Sequence, residues 1–395
     1  MDDPHAAGRH PVIDPQALPL SLYVHLPWCV RKCPYCDFNS HQRPAQMPVQ
    51  RYVDALIADL DLEVVHALGR PLQSIFFGGG TPSLFPGDAI SKILTAVRAR
   101  LVLADDCEIT LECNPGAAEY DRFEAYLAAG VTRLSLGVQS FDDVALQRLG
   151  RIHRAADAQR AFVDARRAGF VDINLDLMYA LPQQTPALAL ADLKAALVLA
   201  PEHISHYQLT LEPQTVFART PPIGLPDDDG AAAMLDACQV LLAQAGYGQY
   251  EVSAYARPGW QSRHNRNYWL YGDYLAIGAG AHAKSTGSDG RIRRRVRQRV
   301  PTRYQSLAGT AAALSEDRVV AADEIAFEFM LNALRLRAGF TPAMYAARTG
   351  RELSCEPGYR SALERGLIEA TADEVRASEL GWRFLNDAIG CFLAH

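Results

Sequence analysis

From residue 21 onward, short apolar runs alternate with longer stretches of helical periodicity. The runs 21–26, 74–77, 108–112, 133–137, 172–177 and 203–210 read as strands. Ile75-Phe76-Phe77 is apolar on both faces, as a strand covered on both sides must be. Helices are expected near 49–67, 87–103, 119–129, 155–168 and 186–199, with one more over 228–245. Six successive βα units predict an α/β fold built on a parallel sheet. Six units fall short of a complete eight-stranded barrel. The expected architecture is therefore a partial (β/α)6 TIM-type barrel, and a doubly wound sheet is the other way to arrange the same units.

The rhythm breaks elsewhere. Residues 1–20 read as a lead-in and 21–250 as the barrel. Residues 251–320 read as a connecting segment, and 321–395 as a small α+β, winged-helix-like C-terminal domain. Gly246–Tyr255 alternates as an antiparallel strand does. The C-terminal domain holds eleven Asp/Glu against eight Arg/Lys, a poor composition for gripping DNA, so it is expected to pack on the barrel or a partner.

Composition narrows the setting. The chain has 395 residues and a formal net charge of −6, which gives no general attraction to nucleic acid or anionic membrane. Asp2, Asp3, His5, Arg9 and several prolines leave no apolar stretch for a signal peptide, and no run is long enough for a transmembrane helix. Of eight cysteines, five are scattered without paired spacing. A soluble, cytoplasmic protein is expected.

The other three cysteines carry the chemistry. Cys29, Cys33 and Cys36 stand at C-x3-C-x2-C spacing on a loop that follows the first strand. Three thiolates on one loop can hold three irons of a 4Fe-4S cluster and leave the fourth iron open to a small molecule. A zinc site, a disulfide framework and chance clustering compete, though zinc usually wants four ligands and no partner pair stands nearby. Other notable residues fall at the same end of the predicted strands. They are Gly78-Gly79-Gly80-Thr81-Pro82, Glu112, Gln139, Arg151 and Asp176. Glycines let a backbone approach a ligand, Glu112 can take a hydroxyl or an amine, and a buried Asp176 needs a partner.

His264 and Tyr268 are four apart, and Trp269 adds a second flat ring. The set suits either a flat macrocycle, with histidine axial to iron, or a packed aromatic corner. His282, after a glycine-rich loop, is a second ligand candidate. The run Arg291–Arg299 could take propionates, phosphates or nucleic acid, but its plainest reading is a solvated hairpin face.

The cysteine motif resembles that of the radical S-adenosylmethionine (SAM) superfamily. Tyr23-x-His25, the GGGTP stretch, Glu112, Gln139 and Asp176 narrow the likeness to the oxygen-independent coproporphyrinogen III oxidase-like group. Within it, the heme chaperones are resembled through Cys33–His41, Arg148–His153, Pro226–Asp229 and His264-Asn265-x-x-Tyr268-Trp269. The resemblance runs from about residue 19 to the C-terminus. It implies a 4Fe-4S cluster on Cys29, Cys33 and Cys36, SAM lined by Tyr23, Gly79 and Glu112, and heme near His264, Tyr268 and Trp269. Gly80, Thr81, Gln139, Arg151 and Asp176 match positions that contact a second SAM in the group's dehydrogenase. That enzyme's pattern has a further cysteine where this chain has Phe38, and only 28 residues precede Cys29 here. The expectation is a heme chaperone that passes heme to an acceptor protein, with a possible electron donor and no nucleic-acid partner. The alternative is a radical SAM coproporphyrinogen III dehydrogenase, an oxidative decarboxylase.

Overall fold

A computed structural model describes residues 13–116 and 123–393. Most of the expected lead-in and the start of the helix expected at 119–129 lie outside the described residues.

Six strands run parallel and neighbour one another in chain order: β1 (Leu20–Leu26), β2 (Leu72–Gly79), β3 (Leu103–Cys113), β4 (Arg133–Gln139), β5 (Asp172–Tyr179) and β6 (His203–Gln208). Between them lie α1 (Val49–Glu63), α2 (Gly87–Arg98), α3 (Phe123–Ala129), α4 (Asp143–Arg148), α5 (Ala155–Ala168) and α6 (Pro186–Leu199), and α7 (Asp228–Gln244) follows β6. A doubly wound sheet reverses its strand order part-way, whereas this order never reverses across the six units. The units therefore curl into a partial barrel with helices outside. Leu22, Val24 and Leu26 of β1 are fully buried in the core, while Tyr23 and His25 alternate onto the opposite face. Helix starts follow from local chemistry. Asp142 caps α4 through Val144 N–H, Thr185 caps α6 ahead of Pro186, and Asp227 caps α7 through Gly230 N–H.

The segment expected as a connector adds strands to the same sheet. β7 (Gly248–Glu251) and β8 (Ala254–Ala256) form an antiparallel pair that joins the edge of β6. After α8 (Arg263–Trp269), β9 (Asp273–Ile277) pairs in parallel with the free edge of β1. β10 (His282–Thr286), β11 (Ile292–Arg297) and β12 (Leu314–Val319) then continue antiparallel, giving twelve strands in one sheet.

The arginine run is solvated at its ends, Arg291 and Arg299, but not at its centre. Arg295 and Arg297 are 2% and 1% exposed. Arg295 and Arg297, alternate residues of β11, point at α1, where Asp59 and Glu63 stand one helical turn apart and are both buried. Arg297 pairs with both carboxylates, at 3.2 Å from Asp59, and Arg295 grips Glu63 at 3.0 and 3.1 Å. Burial pushes Glu63 up, but Arg297 and Arg295 outweigh it and hold the group below the ordinary carboxylate range. On the other face, Arg294 binds Glu328 at 2.7 Å and ties the sheet to the C-terminal helix Glu324–Ala333.

That C-terminal domain has its own core around Phe329, Met330, Phe340, Tyr345 and Ile389, which also takes in Tyr271 and Ile292 from the sheet side. A small hairpin, Ile368–Ala370 with Val375–Ala377, sits among short helices. The domain packs against the sheet through this shared core.

Candidate functional site

Two adjoining cavities open at the C-terminal ends of β1–β5. The first, of about 360 Å3, brings together Cys29, Cys33, Cys36, Gly79, Gly80, Thr81, Glu112, Gln139, Arg151 and Asp176. Tyr23 lies instead in the second cavity, of about 640 Å3, together with Tyr268 and His282. Gly79, Glu112 and Phe38 line both.

The cysteine loop is tied down by backbone bonds from Cys36 N–H to Cys33 O (3.2 Å) and from Arg43 N–H to Cys29 O (2.8 Å). Donors surround the sulfurs. Arg151 Nη1 lies 3.7 Å from Cys33 Sγ, and Ser40 Oγ lies 3.6 Å from Cys36 Sγ. Burial pushes the Cys29 and Cys36 thiols up, opposed at Cys29 by the Thr81 hydroxyl and at Cys36 by Ser40. Metal binding at such thiols releases their protons. Among the described residues no three His, Cys, Asp or Glu side chains converge on a single ion position. Three free thiols bordering a cavity, each near a polar donor, would fit three irons of an iron–sulfur cluster.

The wall opposite is a polar lattice. Gly79, at φ +115°, presents its N–H to Glu112 Oε2 at 3.2 Å; a Cβ there would meet the His25 ring at 2.5 Å. Burial, with the charge of Asp176 adding to it, pushes Glu112 up to about 8. Asp176 accepts from Ser135 Oγ (2.9 Å) and Asn174 Nδ2 (2.7 Å), and its own acidity is weakened by burial. Arg151 Nη2 donates to Asn114 Oδ1 (2.5 Å) and Gly137 O (2.7 Å). Asn114 Nδ2 in turn donates to Thr81 Oγ1 at 2.7 Å, and Tyr207 donates to Gln139 Oε1 at 2.6 Å. A carboxyl group awaiting a counter-charge, next to close-approach glycines and neutral donors, suits a ligand with a cationic amine, hydroxyls and a carboxylate.

The aromatic motif divides. Tyr268 lines the second cavity, but His264 is buried one layer behind it. The His264 ring stacks on Phe76 at 4.8 Å, its Nδ1 bonds Ser74 Oγ at 3.0 Å, and burial lowers it to about 3. Its helix α8 is fixed to β3 through Glu108, which accepts from Ser262 Oγ and from the N–H groups of Arg263 and His264. Trp269 faces Arg335 of the C-terminal domain, at 5.4 Å. The packed-corner reading of this motif describes His264 and Trp269 in this structure.

Comparison with known proteins places the architecture. The solved structure of coproporphyrinogen III oxidase (HemN) from Escherichia coli superposes with a TM-score of 0.79, over 95% of this chain and 90% of that one. At 24% identity that likeness establishes the fold. The Radical SAM superfamily model matches residues 23–193, and the HemN C-terminal domain model matches 320–384. The heme chaperone HemW of Escherichia coli K12 is 48% identical, over 95% of this chain and 98% of its own. The chain belongs to the HemW family. HemW of Bacillus subtilis, at 34% identity over 94% of this chain and 99% of its own, shows the same end-to-end match.

Three polar residues of the first cavity escaped the sequence reading: Asn114, Ser135 and Tyr207. Asn114 directly follows β3, so its place at the strand end was a usable signal. Ser135 and Tyr207 were hidden because small or aromatic residues within strands read first as packing.

Proposed function

We propose that this protein is a heme chaperone, one that binds heme and hands it to an acceptor protein. In this reading Cys29, Cys33 and Cys36 would hold a 4Fe-4S cluster, and Gly79 and Glu112 at the same cavity would line SAM. The observation that carries it is the end-to-end 48% identity to a heme chaperone. Phe38 supports it, because this exposed side chain stands where the dehydrogenase pattern has a further cysteine. When bound, the cluster and SAM supply one-electron chemistry, and chaperoning does not require its turnover. The chain's own residues bind and orient. Gly79 and Gly80 leave room for a ligand to approach, Arg151 donates towards Cys33, and Glu112 would meet a cationic amine. No helix among the described residues is long and apolar enough to cross a membrane.

Titrating the anaerobically prepared protein with hemin tests the reading. A shifted Soret band that saturates at one equivalent is expected, followed by transfer to an apo-hemoprotein. Hemin absorbance that grows without saturation contradicts it.

Glu112 gives the cofactor arm a separate test. With its acidity weakened to about 8, the group is mostly protonated at pH 7 in the SAM-free protein. A cationic amine beside it favours the carboxylate, so SAM binding at pH 7 releases up to about one proton. Calorimetry in buffers of different ionisation enthalpy detects this release, and Glu112→Gln abolishes it. In the SAM-free protein the same shift makes stability fall as pH rises from the ordinary Glu value towards 8, because the unfolded chain loses its proton first.

A further inference from the structure

The larger of the two cavities has no role in holding the cluster. It lies on the far side of Glu112 and Gly79, between the interior face of β1 and the β10–β12 edge. Its volume of about 640 Å3 is within the range of small-molecule and cofactor sites. Tyr23, Tyr268 and Tyr274 give it flat aromatic walls, with Tyr268 and Tyr274 only 4.3 Å apart between ring centroids.

Two histidines line it, and they differ. His25 has both ring nitrogens engaged, Nδ1 with the Tyr23 hydroxyl and Nε2 with Asn39 O, each at 3.0 Å. His282 begins β10, is exposed, and makes no hydrogen bond through its ring among the described residues. Burial of part of the ring lowers its basicity, with Glu316 opposing and Arg294 and Arg299 adding, which favours the neutral imidazole and its free lone pair. Arg299 stands at the same rim, exposed and without an ion pair among the described residues. The hairpin ladder brings the two together: His282 pairs with Val296, and Gly280 N–H donates to Gln298 O at 3.0 Å. Asn39, three residues beyond Cys36, clamps this edge by donating to Ala279 O and Arg299 O, each at 2.9 Å.

We propose that this cavity is the porphyrin cradle, with His282 the axial ligand of the heme iron and Arg299 the partner of a propionate. The proposal rests on the heme-carrying reading above. The iron bond is a coordinate one, formed by the imidazole lone pair with no change in oxidation state. Aromatic walls take the macrocycle, and an exposed guanidinium takes a carboxylate at the water-facing rim. Placement of His282 at an exposed rim also suits a cargo that must leave again.

Hemin titration of His282→Ala, Arg299→Glu and His264→Ala, each checked for wild-type iron and sulfide content, decides it. His282→Ala is expected to lose the wild-type Soret position, to bind hemin at least about tenfold more weakly, and to recover the band with added imidazole. Arg299→Glu is expected to weaken binding while keeping the band position. His264→Ala is expected to match wild type. A wild-type band in His282→Ala, or loss of the band in His264→Ala alone, overturns the assignment while leaving heme carriage intact. A wild-type protein that binds no hemin overturns both.

Discussion

Replacing Cys29, Cys33 and Cys36 together with alanine abolishes the iron–sulfur chromophore. Iron and sulfide in anaerobically reconstituted protein are expected to fall to background, because in the proposed reading these three thiolates hold the irons. The fold is expected to survive. The loop is also held by the bonds from Arg43 N–H to Cys29 O and from His41 N–H to Pro27 O, which are backbone bonds and persist in the variant. Hemin binding is expected to survive too, since the cradle and the cluster cavity share only Phe38, Gly79 and Glu112. Chemical iron and sulfide assays, read beside a hemin titration of the same sample, check both halves.

Arg297→Met produces the largest loss of stability. The substitution keeps much of the side-chain volume but strands Asp59 and half of the Glu63 pairing in the core. Removing one member of a buried ion network typically costs about 3–5 kcal/mol, because the remaining charge stays desolvated and unpaired. Glu63 retains Arg295, and Asp59 retains the Tyr304 hydroxyl at 2.7 Å and Gly278 N–H at 3.2 Å, which favours the lower end. Denaturant unfolding monitored by circular dichroism measures the change. Adding Asp59→Asn to Arg297→Met removes the stranded charge and recovers part of the loss. A loss below about 1 kcal/mol would mean that the network is no stronger than a surface pair.

How much of this was legible in the sequence depended on whether a signal was local. Strands β1, β2 and β4 announce themselves as apolar runs, and α5 was placed at residues 155–168, where it forms. The cysteine loop and the glycines at 78–80 were legible because spacing and composition alone set their chemistry. What could not be read was pairing across long distances. β9 joins β1 from some 250 residues downstream, and nothing near Asp273 reports that. The arginine run misled for the same reason. Its charge is local, whereas its partners Asp59 and Glu63 sit on another element. A clue existed in α1, where two carboxylates one turn apart fall on the buried face, and two alternating arginines in a strand match that spacing. His264 shows how far a local motif can be read. The HNxxYW pattern is local and conspicuous, yet only three-dimensional packing places Phe76 against its ring. His282, less conspicuous in sequence, lines the open cavity beside His25.

In the proposed reading this radical SAM scaffold carries heme rather than making porphyrin. The most direct test is anaerobic incubation of cluster-loaded protein with SAM, a strong reductant and coproporphyrinogen III, followed by chromatography of the tetrapyrroles. Recovery of coproporphyrinogen III unchanged, by protein that binds hemin in a parallel sample, is the expected result. Formation of protoporphyrinogen IX contradicts it, because Phe38 would then be no obstacle to decarboxylation.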